Sequence, residues 1–122
     1  MTDTPRSPGK TTIDPGVLHT IARLTALRVD GVSRLSPVPG GVNRLFRRGH
    51  EGVRVEVEDS RVDVDLYIVL RADTNVRKVS RTIQNDVARA ISDMVGMEVG
   101  RIGIHIEDID YRSEPKTRSR VG

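Results

Sequence analysis

The feature that most constrains the fold is the alternation of apolar and charged residues between Gly52 and Leu70, GVRVEVEDSRVDVDLYIVL. A period of two residues, interrupted once at Asp59-Ser60, predicts two antiparallel strands joined by a tight turn. With that turn, one face of the hairpin pairs Val57 with Val62, Val55 with Val64 and Val53 with Leu66. The other face pairs Arg54 with Asp65 and Glu56 with Asp63.

A helical period replaces the strand period immediately after the hairpin. Thr74 or Asn75 is a suitable N-cap, and Gly96 is a suitable end. The apolar stripe between them consists of Val76, Val79, Ile83, Val87, Ala90, Ile91 and Met94. Alternation returns in GRIGIHIEDID, which predicts a last strand. Strand, helix and strand in this order predict a βαβ unit whose two strands are parallel.

A first helix is predicted upstream, capped by Asp14 and with Pro15 at its first position. Val17, Ile21 and Leu24 follow at helical spacing, with Leu27 near the same stripe. His19 lies opposite that stripe and is predicted to be solvated. GVSRLS, after the helix-ending Gly31, predicts a short strand.

These elements predict a single small α/β (α+β) domain over residues 13–111, with a three- or four-stranded mixed sheet, a βαβ unit and two helices. The polar, Pro- and Ser-containing ends, residues 1–12 and 112–122, are predicted to be disordered. Residues 13–111 contain 14 Lys/Arg and 15 Asp/Glu, whereas the tail contains four basic residues and one acidic residue. The domain is therefore near neutral, and the basic excess of the chain lies in its ends.

Composition excludes several kinds of chemistry. The chain has no cysteine, so it has no disulfide, no thiolate nucleophile and no Cys-based zinc site. No apolar run reaches the roughly 20 residues that span a bilayer. The polar start, MTDTPRSPGK, does not have the pattern of a signal peptide. We therefore expect a cytoplasmic protein without a cofactor.

Five consecutive segments between about Thr12 and Tyr111 resemble a known bacterial family in order and spacing. The segments are IARLTALRVDGVSRLS, GGVNRLFRRG, GVRVEVEDSRVDVDLYIVL, VRKVSRTIQNDVARAISDMVGMEV and GRIGIHIEDI. The family is that of the alkaline shock, or Gls-type general stress, proteins of the Gram-positive cell-envelope stress response. The resemblance implies a non-enzymatic cytoplasmic protein that self-associates and gathers beneath the membrane through a small membrane-protein partner. The resemblance implies no catalytic residues.

The open face of the predicted sheet contains the side chains best suited to chemistry. Glu56, Asp63, Asp65 and His105 could converge there on a hard cation or act as acid and base. The alternative is a ladder of charges neutralised by Arg54 and Arg101, which is ordinary on an exposed strand face. The ladder is the favoured interpretation, so no metal or catalytic residue is predicted.

Two surfaces are candidates for binding a partner. Arg77, Lys78, Arg81 and Arg89 lie opposite the apolar stripe of the second helix and form a basic arc, which is also a common device for solubility. In GGVNRLFRRG, Leu45 and Phe46 adjoin Arg47 and Arg48, and Phe46 is the only phenylalanine of the chain. Phe46 can serve equally as an interface residue or as part of the domain's own core.

The sequence thus predicts a protein-protein interaction and self-assembly module rather than an enzyme. The alternative is a nucleic-acid-associated protein that binds through its basic tail and helix face. The scarcity of aromatic residues opposes single-strand binding, where bases stack on rings. The near-neutral domain opposes strong duplex binding.

Overall fold

A computed structural model describes residues 12–38 and 52–113 of the chain. The predicted domain bounds, residues 13–111, remain a prediction, because residues 1–11 and 114–122 lie outside the described ranges. The elements are α1 (Pro15–Leu27), β1 (Val32–Leu35), β2 (Val53–Glu58), β3 (Arg61–Arg71), α2 (Val76–Val95), β4 (Glu98–Asp110) and a 3-10 turn (Tyr111–Ser113).

The hairpin has the predicted register in full. Val53 pairs with Leu66, Val55 with Val64 and Val57 with Val62, while Arg54 pairs with Asp65 and Glu56 with Asp63. Asp59 adopts a positive φ of 61°, which a short polar residue tolerates in a tight turn. The alternation of side chains was sufficient to fix this register because a slip of one residue would turn every valine to the wrong face.

Strand β3 is the centre of a four-stranded mixed sheet. It pairs in antiparallel with β1 near Leu70 and with β2 near Leu66, so these two strands follow one another along one edge. Its other edge pairs in parallel with β4 over its whole length, as the βαβ unit predicted. The side chains of β3 that face the helices are fully buried: Val62, Val64, Leu66, Ile68 and Leu70. The predicted fold class is confirmed.

Helix α2 forms as predicted. The side chain of Asn75 accepts a hydrogen bond from the Lys78 amide at 3.0 Å, and Gly96 ends the helix in the left-handed conformation. Val79, Ile83, Val87 and Ile91 are its buried residues. The two ends of the predicted stripe do not belong to it, since Val76 and Met94 are 42% and 71% exposed.

Helix α1 has the predicted start, where the Asp14 carboxylate accepts from the Gly16 amide at 2.8 Å. Its predicted buried stripe was wrong at Val17 and Leu24, although Ile21 does pack, partly buried, against the core. The buried side chains are Leu18, His19, Ala22 and Ala26, whereas Val17 and Leu24 are nearly half exposed. The physical reason is the size of alanine, which lets α1 approach the sheet and α2 more closely than a row of larger side chains would.

The prediction of a solvated His19 was also wrong. Its side chain is 8% exposed, and the Nδ1–H donates to the Pro15 carbonyl oxygen at 2.7 Å. Because a carbonyl only accepts hydrogen bonds, the proton on this ring lies on Nδ1 in that contact. The hydrogen bond lets a polar ring lie beside the buried alanines of α1.

Candidate interaction surface

The outer face of α2 carries the four cations of the predicted basic arc. Arg77, Lys78, Arg81 and Arg89 are all exposed. None of them forms an ion pair within residues 12–38 and 52–113, although Asp86 and Asp93 lie on the same helix. We call these four residues the α2 basic face. The structure thus brings together the predicted arc, and it presents it to solvent.

The position of two of these cations opposes the electrostatics of the helix. Arg77 and Lys78 lie in the first turn of α2, which contains no acidic residue. The amino-terminal end of a helix has a partial positive charge, so each cation there costs about 0.3–1 kcal/mol relative to a favourable arrangement. Selection for stability alone would favour Asp or Glu at these positions. The placement of Arg77 and Lys78 therefore does not serve the stability of the helix.

The open face of the sheet is organised around Asp65. Its carboxylate lies 3.0 Å from His105 Nε2 and 3.4 Å from an Arg101 guanidinium nitrogen. The His105 ring stacks on Tyr67 with centroids 4.5 Å apart. Gly103 makes room for this arrangement, because a Cβ at that position would overlap the Asp65 carboxylate.

The rest of the open face is a charge ladder. Asp63 accepts from the Arg101 backbone amide at 2.8 Å, and Arg61 lies 3.7 Å from the same oxygen. Arg54, expected to neutralise Asp65, has no ion pair among the described residues. Arg101 takes that role, and the His105 ring hydrogen-bonds the same carboxylate. Over 12–38 and 52–113 no three His, Asp or Glu side chains are grouped to hold a metal ion.

A second polar cluster, missed in the sequence, surrounds Asp110 at the end of β4. Its carboxylate accepts from the Ser33 hydroxyl at 2.7 Å and from the Arg112 amide at 3.0 Å, and it lies 3.5 Å from Arg34. The Ser33 hydrogen bond, with help from Arg112 and against partial desolvation, lowers the pKa of Asp110 below its usual value. This cluster joins β1 to β4 across β3.

We expect Asp110→Asn to lower the thermal midpoint at neutral pH, because an amide loses the charge that these donors stabilise. A carboxyl group with a lowered pKa stabilises the fold above its unfolded pKa, near 3.8, and loses that contribution as the pH falls through the lower folded value. Melting curves from pH 7 to pH 2 test this. The gap between the variant and the wild type should narrow below about pH 4; a constant gap would contradict the assignment.

The predicted partner residues Leu45, Phe46, Arg47 and Arg48 lie outside the described residues. The structure does describe where the chain leaves and returns. The Ser36 amide donates to the Tyr67 carbonyl at 2.8 Å, and the Tyr67 amide donates to the Gly52 carbonyl at 2.9 Å. Both ends of the intervening segment are thus fixed at one residue of β3, and its role in binding stays a prediction.

None of the helices in the described ranges is both long and apolar enough to cross a membrane.

Comparison with known proteins identifies the family. The chain is 30% identical over 106 residues to the uncharacterised protein YqhY of Bacillus subtilis (strain 168), which covers 84% of this chain and 78% of that protein. Among solved structures, two forms of the MamM C-terminal domain match with a TM-score of 0.49 and 14% identity over 78% of this chain and 98–99% of theirs. The model of a family with a cell envelope-related function, the alkaline shock protein 23 family, matches residues 3–111 of the chain. The chain therefore belongs to the alkaline shock protein 23 family.

Proposed function

We propose that this protein acts as a non-enzymatic interaction and self-assembly module in the envelope stress response, held near the inner face of the membrane by a protein partner. The observation that carries the proposal is the α2 basic face, four exposed cations without a described carboxylate partner. Its family supplies the connection with the cell envelope. The function would be exerted through contacts, without chemistry.

The partner surface that fits is an acidic patch of protein. Exposed guanidinium and ammonium groups attract carboxylates at long range and accelerate encounter. The polar side chains on the open sheet face bind one another, with Asp65 bound by Arg101 and His105. That arrangement favours a structural role for Asp65 and its partners, whereas the four cations of the α2 basic face have no described carboxylate partner.

The proposal predicts that the double substitution Arg77→Glu with Lys78→Glu removes partner capture. Each of the two reversals replaces an attraction with a repulsion at the interface, and binding weakens tenfold for about every 1.4 kcal/mol lost. The measurement is affinity capture from the native cell with quantitative mass spectrometry. Proteins that depend on the α2 basic face should be lost from the variant.

The matched control is Arg28→Glu with Arg54→Glu. Both arginines are exposed, neither belongs to α2, and the change in net charge is the same. This control should retain the partners. Equal loss from both variants would show that net charge alone governs capture and would contradict the proposal.

A titration with nucleic acid tests the alternative function, that of a nucleic-acid-associated protein. Purified protein is titrated with duplex DNA and with single-stranded RNA at rising salt. Tight binding that falls steeply with salt and with deletion of residues 112–122 would establish the rival, because counterion release gives that signature. The interaction module predicts weak binding that the deletion barely changes.

A further inference from the structure

Strand β4 has one unpaired edge. It spans 13 residues, Glu98–Asp110, and among the described residues its only strand partner is β3. A long free edge exposes a row of backbone donors and acceptors that readily pair with another strand. The edge therefore offers a surface for β-sheet extension.

The hydrogen bonds of β3 show which groups of β4 point outward. Tyr67 and Arg71 bond towards β1 and β2, so odd residues of β3 face that side. Even residues face β4, as the bond from the Ala72 amide to the Asp110 carbonyl shows. In a parallel pair, each even residue of β3 hydrogen-bonds to the two β4 residues that come before and after its partner in β4. The backbone amide and carbonyl of the partner itself therefore point away from β3. The partners of the even residues, and hence the outward-pointing residues of β4, are Val99, Ile102, Ile104, Ile106 and Ile109.

Two of these outward groups are already capped by side chains. Gln84 of α2 donates to the Ile102 carbonyl at 3.1 Å, and the Ile109 amide donates to the Asp108 carboxylate at 2.8 Å. The amide and carbonyl of Ile104 and of Ile106 have no such cap within the described ranges. The middle of the edge is therefore open for pairing.

The irregularities of β4 are symmetric about Ile104. Strand β4 has two bulges relative to β3. One extra residue of β4 lies between Val99 and Ile102, and another lies between Ile106 and Asp108. As a result, Ile102 and Ile106 lie at equal distances along the chain from Ile104, and so do Val99 and Ile109. The outward residues have the same spacing in both directions along the strand. A second copy running antiparallel would present the matching spacing.

We infer that β4 pairs in antiparallel with β4 of a second copy, about a two-fold axis at Ile104. The inference rests on the self-association proposed above and names the surface that makes it. Ile104 would meet Ile104 of the second copy as an open hydrogen-bonded pair. Ile102 would meet Ile106, and Val99 would meet Ile109, once the caps from Gln84 and Asp108 give way to the second strand. A two-fold axis perpendicular to the sheet keeps the helices of both copies on one side and closes the assembly as a dimer.

Charge and burial agree with this register. Exposed Arg101 falls opposite exposed Glu107 of the second copy, and the symmetry makes this contact twice. At the ends Glu98 meets Asp110, whose charge is already bound by Arg34 and Arg112. The isoleucines of β4 are only partly buried against the core, whereas their partners in β3 are fully buried. Strand pairing would cover this exposed apolar edge.

The charge pair gives a test by complementation. Arg101→Glu alone sets two acidic side chains against each other at both contacts, and Glu107→Arg alone sets two basic ones. By sedimentation equilibrium, each variant should dimerise roughly tenfold more weakly than the wild type. A mixture of the two variants restores both attractions and should form heterodimers with an affinity near that of the wild type.

A crosslink tests the register independently of affinity. The chain contains no cysteine, so Ile104→Cys introduces a single thiol. Hydrogen-bonded antiparallel pairs have Cα atoms about 5.5 Å apart, so the two thiols lie within reach of a short thiol-specific bifunctional crosslinker. Treatment with that crosslinker should give a covalent dimer. The control is Val57→Cys, a 45% exposed valine on β2 at the opposite edge of the sheet, which should remain monomeric on a denaturing gel.

The outcomes separate this inference from the proposed function. If the wild type dimerises but the mixture shows no rescue and Ile104→Cys gives no crosslink, the β4 pairing is wrong and self-association uses another surface. If the wild type is monomeric at all concentrations, both the pairing and the proposed self-assembly fail. Partner capture through the α2 basic face would then be judged by its own experiment.

Discussion

Replacing Leu66 by alanine is expected to lower the free energy of unfolding by about 2–5 kcal/mol. Leu66 is fully buried in the middle of β3, and it lies between Val53 of β2 and Ile104 of β4. Its removal leaves a cavity that rigid strands on both sides cannot close. Urea titration followed by circular dichroism measures the loss as a lower midpoint at constant slope.

The control for this substitution is Val57→Ala in the same hairpin. Val57 occupies the same face but is 45% exposed, so its truncation should cost less than about 1 kcal/mol. Similar losses at positions 57 and 66 would mean that β3 is not the centre of the core.

Gly31→Ala is expected to cost roughly 2–5 kcal/mol, from backbone strain and overpacking together. Gly31 has a φ of 106°, which residues with a Cβ seldom adopt. A Cβ there would also lie 2.9 Å from methyl carbons of both Thr74 and Val79. The turn after α1 is thereby fixed against the start of α2, and the same unfolding measurement should report its disturbance.

Gly96→Ala separates the two causes. Gly96 also has a positive φ, 73°, but a Cβ at this position meets no atom within 4 Å. Only the backbone cost of roughly 1–2 kcal/mol should remain. If Gly96→Ala were as damaging as Gly31→Ala, the packing of Gly31 against Thr74 and Val79 would not be the cause.

Local patterns predicted those parts of the fold in which one rule acts alone. Alternation determined the hairpin register, since any slip would bury charge, and Asn75 with Gly96 marked the ends of α2 correctly. The face of α1 was not predictable in this way. Apolar residues line more than one side of that helix, and close packing against the sheet favours the row that contains Ala22 and Ala26.

Local patterns likewise predicted one of the candidate surfaces and missed the contacts that depend on the tertiary fold. The α2 basic face follows from helical spacing, because residues opposite a buried stripe must be exposed. The partner of Asp65 depends on an irregularity in β4 between Val99 and Ile102, which the sequence does not reveal. The contact of Ser33 with Asp110 joins residues 77 positions apart, and no local pattern encodes it.

The proposed function depends on the cations of α2, which the fold itself does not require. The most direct measurement combines thermal melting and partner capture on one preparation of the Arg77→Glu, Lys78→Glu variant. We predict an unchanged or higher melting temperature, since acidic residues suit the first turn of a helix, together with loss of the captured partners. A variant that melts like the wild type and retains every partner would contradict the proposed function.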